Sequence, residues 1–461
     1  MNLPTAFVEK YQRLMGAAEA GQFIAALEDG QPVSGFRANP LKPGMPQATI
    51  KAATGQVPGV ASGYYGQVDG KSVDHVTGWV YSQEPSAMNV ATALAPQPGE
   101  RVLDLCAAPG GKSTQLVAMM KNQGLLVANE IFTKRAKVLA ENLERWGATN
   151  AVVVNESPAT LEQQFPQFFD RILVDAPCSG EGMFRKDPAG IQYWNPDYPR
   201  ECANRQQQIL KSAMKMLKPG GTLVYSTCTF APEEDEQNAA WLLREYPDLQ
   251  ICELPQQDGM DTGRPQWADG NPQLAKAIRL FPHHYHGEGH FIVKFRLAGD
   301  DQPTVNTRAK KRKKKGRKRQ NDNVVSKKEV AEWESWARAV IPDFAAGKLI
   351  KFGEQLYSIP DGIGSLAGLH VMRPGLHLGT LKKNRFEPSL ALALSLSKYD
   401  QYRSLDITHD QWRQYVHGDT LTVSGSHDNG WYLLVAEGHP CGFGKLVGQT
   451  VKNFFPKGLR F

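Results

Sequence analysis

Long apolar runs, a disulfide-scale supply of cysteine and the glycines of a phosphate loop are all missing from this chain. None of its 461 residues falls in an unbroken apolar run long enough for a bilayer, so no membrane-spanning helix is expected. The opening stretch, MNLPTAFVEKYQRLMGAAEA, lacks the charged-then-apolar layout of a secretory signal. Six cysteines are too few for a disulfide scaffold in a chain of this length, which points to a reducing, cytoplasmic setting. Cys178 and Cys228 have no C-x-x-C partner, and His283, His284 and His286 stand apart from them in a Pro-containing loop. No metal site is therefore expected, and the histidines read as a polar loop. No internal repeat of fixed period occurs.

A further absence decides the first motif. The stretch LDLCAAPGGKSTQL, Leu103 to Leu116, ends like a phosphate loop. That template needs a glycine where this chain has Cys106. It would also set a triphosphate beside Asp104, and like charges repel. The dinucleotide pattern G-x-G-x-x-G fails as well, since only Gly110 and Gly111 are available. What remains is a buried strand, a tight turn and a helix with an acidic lip. That lip suits a cation carrying amine and hydroxyl donors, such as S-adenosylmethionine, better than a pyrophosphate cofactor.

The chain alternates strand and helix signals between about Pro85 and Arg296. The expected strands are Arg101–Cys106, Leu125–Glu130, Ala151–Asn155, Arg171–Ala176, Thr222–Thr227 and His290–Arg296. The expected helices are Lys112–Asn122, Thr133–Trp146 and Ala203–Leu217. This spacing predicts an α/β fold with a parallel, doubly wound sheet. Pro4 to Ala26 has helical spacing and opens an N-terminal lobe, residues 1–85. The sheet domain follows at 86–298. Residues 299–325 read as a flexible basic linker, because periodicity is lost there. Its Arg308–Arg319 run holds ten basic residues and no acid, more than the whole formal surplus of +6. A middle domain, 326–384, begins with a capping box at Ser326 and Glu329. Short, glycine-punctuated segments predict a small mixed or all-β domain at 385–461.

Ligands of open α/β sheets bind at the carboxyl ends of strands. Three acids fall there: Asp104, Glu130 and Asp175. A carboxylate at Glu130 is placed to accept both hydroxyls of an adenosine ribose. Two cysteines follow adjacent strands, Cys178 in DAPCSGEG and Cys228 in YSTCT. A single such cysteine is more often a small buried hydrophobe; two on neighbouring strands point to chemistry. C5 of a pyrimidine is a poor nucleophile toward a sulfonium methyl. A thiolate added at C6 makes C5 electron-rich, splitting one hard step into two. Charge then develops at N3 and the exocyclic group, and a nearby carboxylic acid, Asp175, can supply the proton there. A second cysteine beside the first can assist release.

LDLCAAPGGKST, VDAPCSGEGMFRKDP and YSTCTFAPEEDEQN, in this order, resemble the Nol/Nop/Sun family of RNA cytosine-C5 methyltransferases. FRANPLK (Phe36–Lys42) and YSQEPSAM (Tyr81–Met88) are similar to the family's N-terminal segments. The resemblance covers residues 1 to about 298. It implies a Rossmann-like S-adenosylmethionine-dependent methyltransferase sheet with Cys228 as nucleophile and Cys178 in release. Asp175 completes the catalytic set, with Lys112 reaching the target base. It places cofactor contacts at Cys106, Ala107, Ala108, Pro109, Gly110, Gly111 and Lys112, and at Glu130, Arg135 and Asp175. Glu156 stands where the family often has an Asp near the adenine.

The long C-terminal extension looks like that of the family's RsmF-type branch, which carries a middle domain and a PUA-like RNA-binding domain. That branch modifies 16S ribosomal RNA near the decoding centre. The implied partner is ribosomal RNA in the 30S subunit, with the enzyme acting as a monomer and away from membranes. Two alternatives stay open: a transfer-RNA substrate for the same chemistry, and an RNA-binding ribosome-assembly factor whose methylation is secondary.

Overall fold

A computed structural model describes residues 2–44, 46–299, 323–397 and 399–461. The Arg308–Arg319 run lies outside these described residues. The site is carried by a ten-stranded sheet. Its strands, numbered in chain order, are β1 (Arg101–Asp104), β2 (Leu125–Asn129), β3 (Ala151–Val154), β4 (Phe169–Asp175) and β5 (Leu217–Thr227). Then come β6 (Leu249–Ile251), β7 (Asp261–Thr262), β8 (Ile278–Leu280), β9 (His290–Leu297) and β10 (Val371–Arg373). The spatial order is β7-β8-β9-β5-β4-β1-β2-β3-β10, with β6 also on β9. β1 to β5 are mutually parallel.

The expected all-parallel sheet needs correction at its flanks. β9, the expected strand at His290–Arg296, runs antiparallel to β5, and β10 runs antiparallel to β3. Sequence pattern marks a strand but not its direction, because the residues it buries are the same either way.

The strands read as continuous apolar runs because helices cover both faces. The helices are α1 (Pro85–Leu94), α2 (Gly111–Met119), α3 (Thr133–Trp146), α4 (Pro158–Gln164), α5 (Tyr198–Met216) and α6 (Glu236–Glu245). Val102, Leu126, Val153, Leu173 and Val224 pack with α1–α3. Their strand neighbours Leu103, Val127, Val152, Ile172 and Leu223 pack with α4–α6. Successive strand side chains point to opposite faces, so one run of apolar residues builds two cores.

The Pro4–Ala26 segment is two helices, Thr5–Met15 and Ala17–Glu28, separated at Gly16, whose φ is 80°. Phe7, Tyr11 and Phe23 join Phe184, Trp194, Phe230 and Phe281 in one aromatic cluster, which seats the lobe beside the turns that follow β4 and β5. A four-stranded sheet completes the lobe. The capping box at Ser326 and Glu329 is present, and the helix Lys327–Val340 follows it. Beyond it lie a four-stranded antiparallel sheet within 348–388 and a five-stranded mixed sheet within 404–453. Among the described residues no helix is long and apolar enough to cross a membrane.

Candidate active site

The turn between β1 and α2 holds the first part of the site. Gly110 has φ 117°, in the region that favours glycine, and a Cβ there would meet Leu139 at 3.2 Å. The turn is pinned from the N-terminal lobe. The buried Arg37 guanidinium donates to Gly111 O at 2.7 Å and Thr114 Oγ1 at 2.6 Å, with its face toward the Tyr81 and Trp146 rings. Ala107 N–H donates to Asn129 O at 2.8 Å, tying the turn to β2.

Asp104 ends β1 fully buried. Its Oδ2 accepts from Ser113 Oγ at 2.6 Å, while Oδ1 has no well-aligned hydrogen-bond partner. Burial pushes its carboxyl up to about 7. Glu130 directly follows β2, and its Oε1 accepts from the Phe132 N–H at 2.9 Å. Arg135 approaches its other oxygen at 3.4 Å and donates to Ala108 O at 2.9 Å, so it joins the two cofactor segments expected from sequence. Burial, with Asp104, Asp175 and Glu130 nearby, pushes the Cys106 thiol up.

Asp175 ends β4. Its Oδ2 lies 2.7 Å from Lys112 Nζ, and its Oδ1 accepts from Ser226 Oγ at 2.7 Å. Burial alone would raise this carboxyl, but the Lys112 ammonium holds it below the usual carboxylate range. Against burial, Asp175 in turn holds Lys112 above the ordinary lysine value. The pair is therefore ionised, and the neutral carboxylic acid expected of Asp175 is not the resting form. The proton available at this point is on Lys112.

The two cysteines meet: Cys178 Sγ lies 3.3 Å from Cys228 Sγ. The contact to Cys228, together with burial, pushes the Cys178 thiol well up.

Cys106, Ala108, Glu130, Arg135, Asp175, Cys178 and Cys228 all line one cleft of about 670 Å³, in the size range of small-molecule sites. Ile131 and Phe132, 53% and 58% exposed, form an apolar lip next to Glu130 and opposite Pro158 and Ala159. The residues fit S-adenosylmethionine. The Asp104 oxygen without a well-aligned partner suits a cationic amine, Glu130 suits a diol and the lip suits a flat ring. Glu156 is placed otherwise. Its Oε1 accepts from the His370 N–H at 2.6 Å, so this carboxylate faces the middle segment.

Sequence reasoning missed three neighbours of the site. His290, buried at the start of β9, sets Nε2 3.9 Å from Asp175 Oδ1 and Nδ1 3.2 Å from Ser86 Oγ. Glu84 caps α1 at the Ser86 and Ala87 N–H groups. Glu234 reaches back to Ser179. Glu84 stands directly before a proline-led helix, a readable capping signal. The histidine loop is also not uniformly polar, since His283 packs between Phe23 and Phe281. Among the described residues no cluster of side chains is arranged to hold a metal.

Four family models match the chain: the N-terminal domain of 16S rRNA methyltransferase RsmF over 3–85 and 16S rRNA methyltransferase RsmB/F over 91–296. The RsmF rRNA methyltransferase first C-terminal domain matches 335–396, and the methyltransferase RsmF PUA domain matches 402–461. The ribosomal RNA small subunit methyltransferase F of Vibrio vulnificus (strain YJ016) is 33% identical, covering 99% of this chain and 97% of the relative. That of Escherichia coli O139:H28 is 31% identical over 85% of this chain and 80% of its own length. Among solved structures, a methyltransferase homologue from Pyrococcus horikoshii superposes with TM-score 0.57 at 30% identity, over 64% of this chain and 95% of that one. NSun6 from the same organism, solved with SFG, gives TM-score 0.56 at 21% identity, over 64% and 99%, and supports the fold.

Proposed function

This chain belongs to the ribosomal RNA small subunit methyltransferase F family, and on that premise we propose that it methylates C5 of a cytosine in 16S ribosomal RNA through a covalent Cys228–C6 adduct. The observation that carries this reading is the pair of sulfurs 3.3 Å apart, set beside the Lys112–Asp175 ion pair at the ends of adjacent strands. S-adenosylmethionine supplies the methyl group as an electrophile when bound.

The chain's own groups do the rest. In this reading Cys228 adds to C6 as the thiolate, while Cys178, whose thiol is pushed up by its contact with Cys228 and by burial, keeps its proton. Lys112, held charged by Asp175, meets the negative charge developing at N3. Asp175 holds the Lys112 ammonium at 2.7 Å, and Ser226 keeps Asp175 in place. Once C5 has been methylated, its proton passes to solvent, the C5–H electrons re-form the ring double bond, and the C6–sulfur bond breaks with its electron pair leaving on the Cys228 sulfur. Cys178 then gives its proton to the departing Cys228 sulfur. Glu130 would hold the ribose, and the lip at Ile131 and Phe132 would take the adenine.

Residues 86–298 carry this chemistry in the proposed division. The lobe at 1–85, the basic segment 299–325, the middle domain 326–384 and the PUA-like domain 385–461 select the RNA. The site of action is the cytoplasm, on a 30S subunit near its decoding centre, with the protein as a monomer.

Three variants test the chemistry. With radiolabelled S-adenosylmethionine and 30S subunits, Cys228→Ala transfers no methyl yet still binds cofactor. Cys178→Ala accumulates a protein–RNA adduct that survives a denaturing gel. Asp175→Ala loses activity without adduct. An adduct with Cys228→Ala would reverse the roles, and lower thermal stability with no adduct in any variant would leave the three residues as packing. Bisulfite sequencing of ribosomal RNA from a deletion strain identifies the cytosine.

A further inference from the structure

The side chains that follow the two cysteines also meet. Ser179 Oγ lies 2.8 Å from Thr229 Oγ1. The Cys178 turn is gathered by Glu234, which is fully buried. Its Oε2 accepts from the Ser179 backbone N–H at 3.0 Å and from Gln206 Nε2 at 2.7 Å. Its Oε1 pairs with Ser179 Oγ. Gln206 Nε2 also donates to Pro177 O at 3.1 Å, so the residues on both sides of Cys178 are held by one connected set of bonds. Tyr225 OH fixes the Glu234 carbonyl from β5. Burial pushes the carboxyl up to about 8. At neutral pH it is largely the neutral acid, able to donate from one oxygen while accepting at the other.

Burying a carboxyl costs free energy unless its hydrogen bonds are satisfied. Here those bonds go to the Cys178 turn. The Cys228 side has its own anchor, since Thr227 Oγ1 donates to Asp235 Oδ1 at 2.6 Å. Loss of Glu234 therefore frees the Cys178 turn while leaving the nucleophile's strand in place.

We infer that Glu234 is a positioning residue which, through Ser179 and Gln206, holds the Cys178 sulfur against Cys228 so that the covalent intermediate is released. The inference rests on the roles proposed above for the two cysteines. Without the clamp Cys228 still attacks and the methyl still transfers, but the departing sulfur has no proton donor at contact distance. Loss of Glu234 should therefore imitate loss of Cys178.

The test has two arms on the full chain. The first reads proximity alone. Diamide takes one hydrogen from each thiol, becoming the hydrazine as the Cys178–Cys228 disulfide forms, and peptide mapping measures its rate. Glu234→Ala should slow this crosslink about tenfold, the scale of losing hydrogen bonds to a buried polar group. Glu234→Gln keeps a donor and an acceptor in the same places and should crosslink at near the parent rate. The second arm reads the denaturing gel, where Glu234→Ala should accumulate adduct as Cys178→Ala does and Glu234→Gln should not.

Calorimetric cofactor affinity equal to the parent's shows that each variant is folded. If Glu234→Ala does not fold, Ser179→Ala takes its place, with a slowed crosslink expected. A crosslink at the parent rate in the folded alanine variant overturns the clamp. So does parent-like turnover without adduct when Cys178→Ala does trap. If Cys178→Ala itself traps nothing, the proposed release chemistry fails, and the crosslinking arm still decides the clamp.

Discussion

Two thiolates at contact distance would repel, so one proton must stay on the Cys178–Cys228 pair. Contact with the partner sulfur and burial push the Cys178 thiol up, which suits Cys178 to the proposed role of proton donor. A similar division of labour appears among the strand-end acids. Asp175 is ionised by Lys112, whereas Asp104 is raised by burial and retains an oxygen without a good partner. Glu130 differs from both, since Phe132 N–H and Arg135 engage one side of each oxygen. A carboxylate offers about four acceptor positions, which leaves room for a diol. Each charged hydrogen bond contributes about 1.5–3 kcal/mol. Glu130→Ala should therefore weaken S-adenosylmethionine binding at least about tenfold by calorimetry. Equal affinity would place the ribose elsewhere.

The five parallel strands and α2, α3 and α5 were legible because each buries an apolar run or stripe of ordinary length. What escaped the sequence has physical causes. α1 buries all but one of its residues, so it shows no polar face and no helical period. Glu234 lies in the run Glu233–Glu236, which reads as a solvated acidic stretch. In the fold Lys10 takes Glu233, Ser179 takes Glu234 and Arg279 takes Asp235 and Glu236. The cysteines and strand-end acids were visible because their positions follow from the strands; their protonation was not, since it depends on neighbours distant in sequence.

β10 was hidden by its brevity, and its place in the sheet changes how the middle segment is understood. Val371 and Arg373 pair with β3, His370 bridges Asn155 N–H and Glu156, and Ile359 and Ile363 enter the main core. Cutting the chain near Gly299 would thus strip an edge strand from the catalytic sheet as well as removing the segments proposed to select the RNA. Arg373 is the pin. It donates to Ala151 O at 2.9 Å and Ala148 O at 2.5 Å while buried. Arg373→Ala leaves two buried carbonyls without partners, at an expected cost of about 3 kcal/mol. Hydrogen exchange should then quicken in β3 and leave the strands of 430–447 unchanged. Unchanged protection in β3 would mean that β10 rests on the edge without supporting it.

At the scale of the whole molecule, the lobe and the C-terminal half are joined directly to each other. Lys42 donates to Leu394 O, His439 pairs with Asp74 at 2.8 Å, and its ring stacks on Trp79. Charge is distributed less evenly than contacts. Residues 327–461 hold 16 Lys and Arg against 13 Asp and Glu, and the ten basic residues of Arg308–Arg319 exceed the chain's entire surplus of +6. The catalytic half is thus acidic and needs help to hold a polyanion. A cation that neutralises a phosphate releases a counterion, so affinity falls with salt in proportion to the phosphates engaged. If most of the run meets RNA, deleting Arg308–Arg319 should weaken binding of 30S subunits at low salt and flatten the plot of log affinity against log salt. Cofactor affinity should stay at the parent value, because every residue proposed to hold the cofactor lies outside the deleted run. An unchanged slope in the deletion would mean that the run contacts no phosphate and that the basic surface of 327–461 holds the RNA.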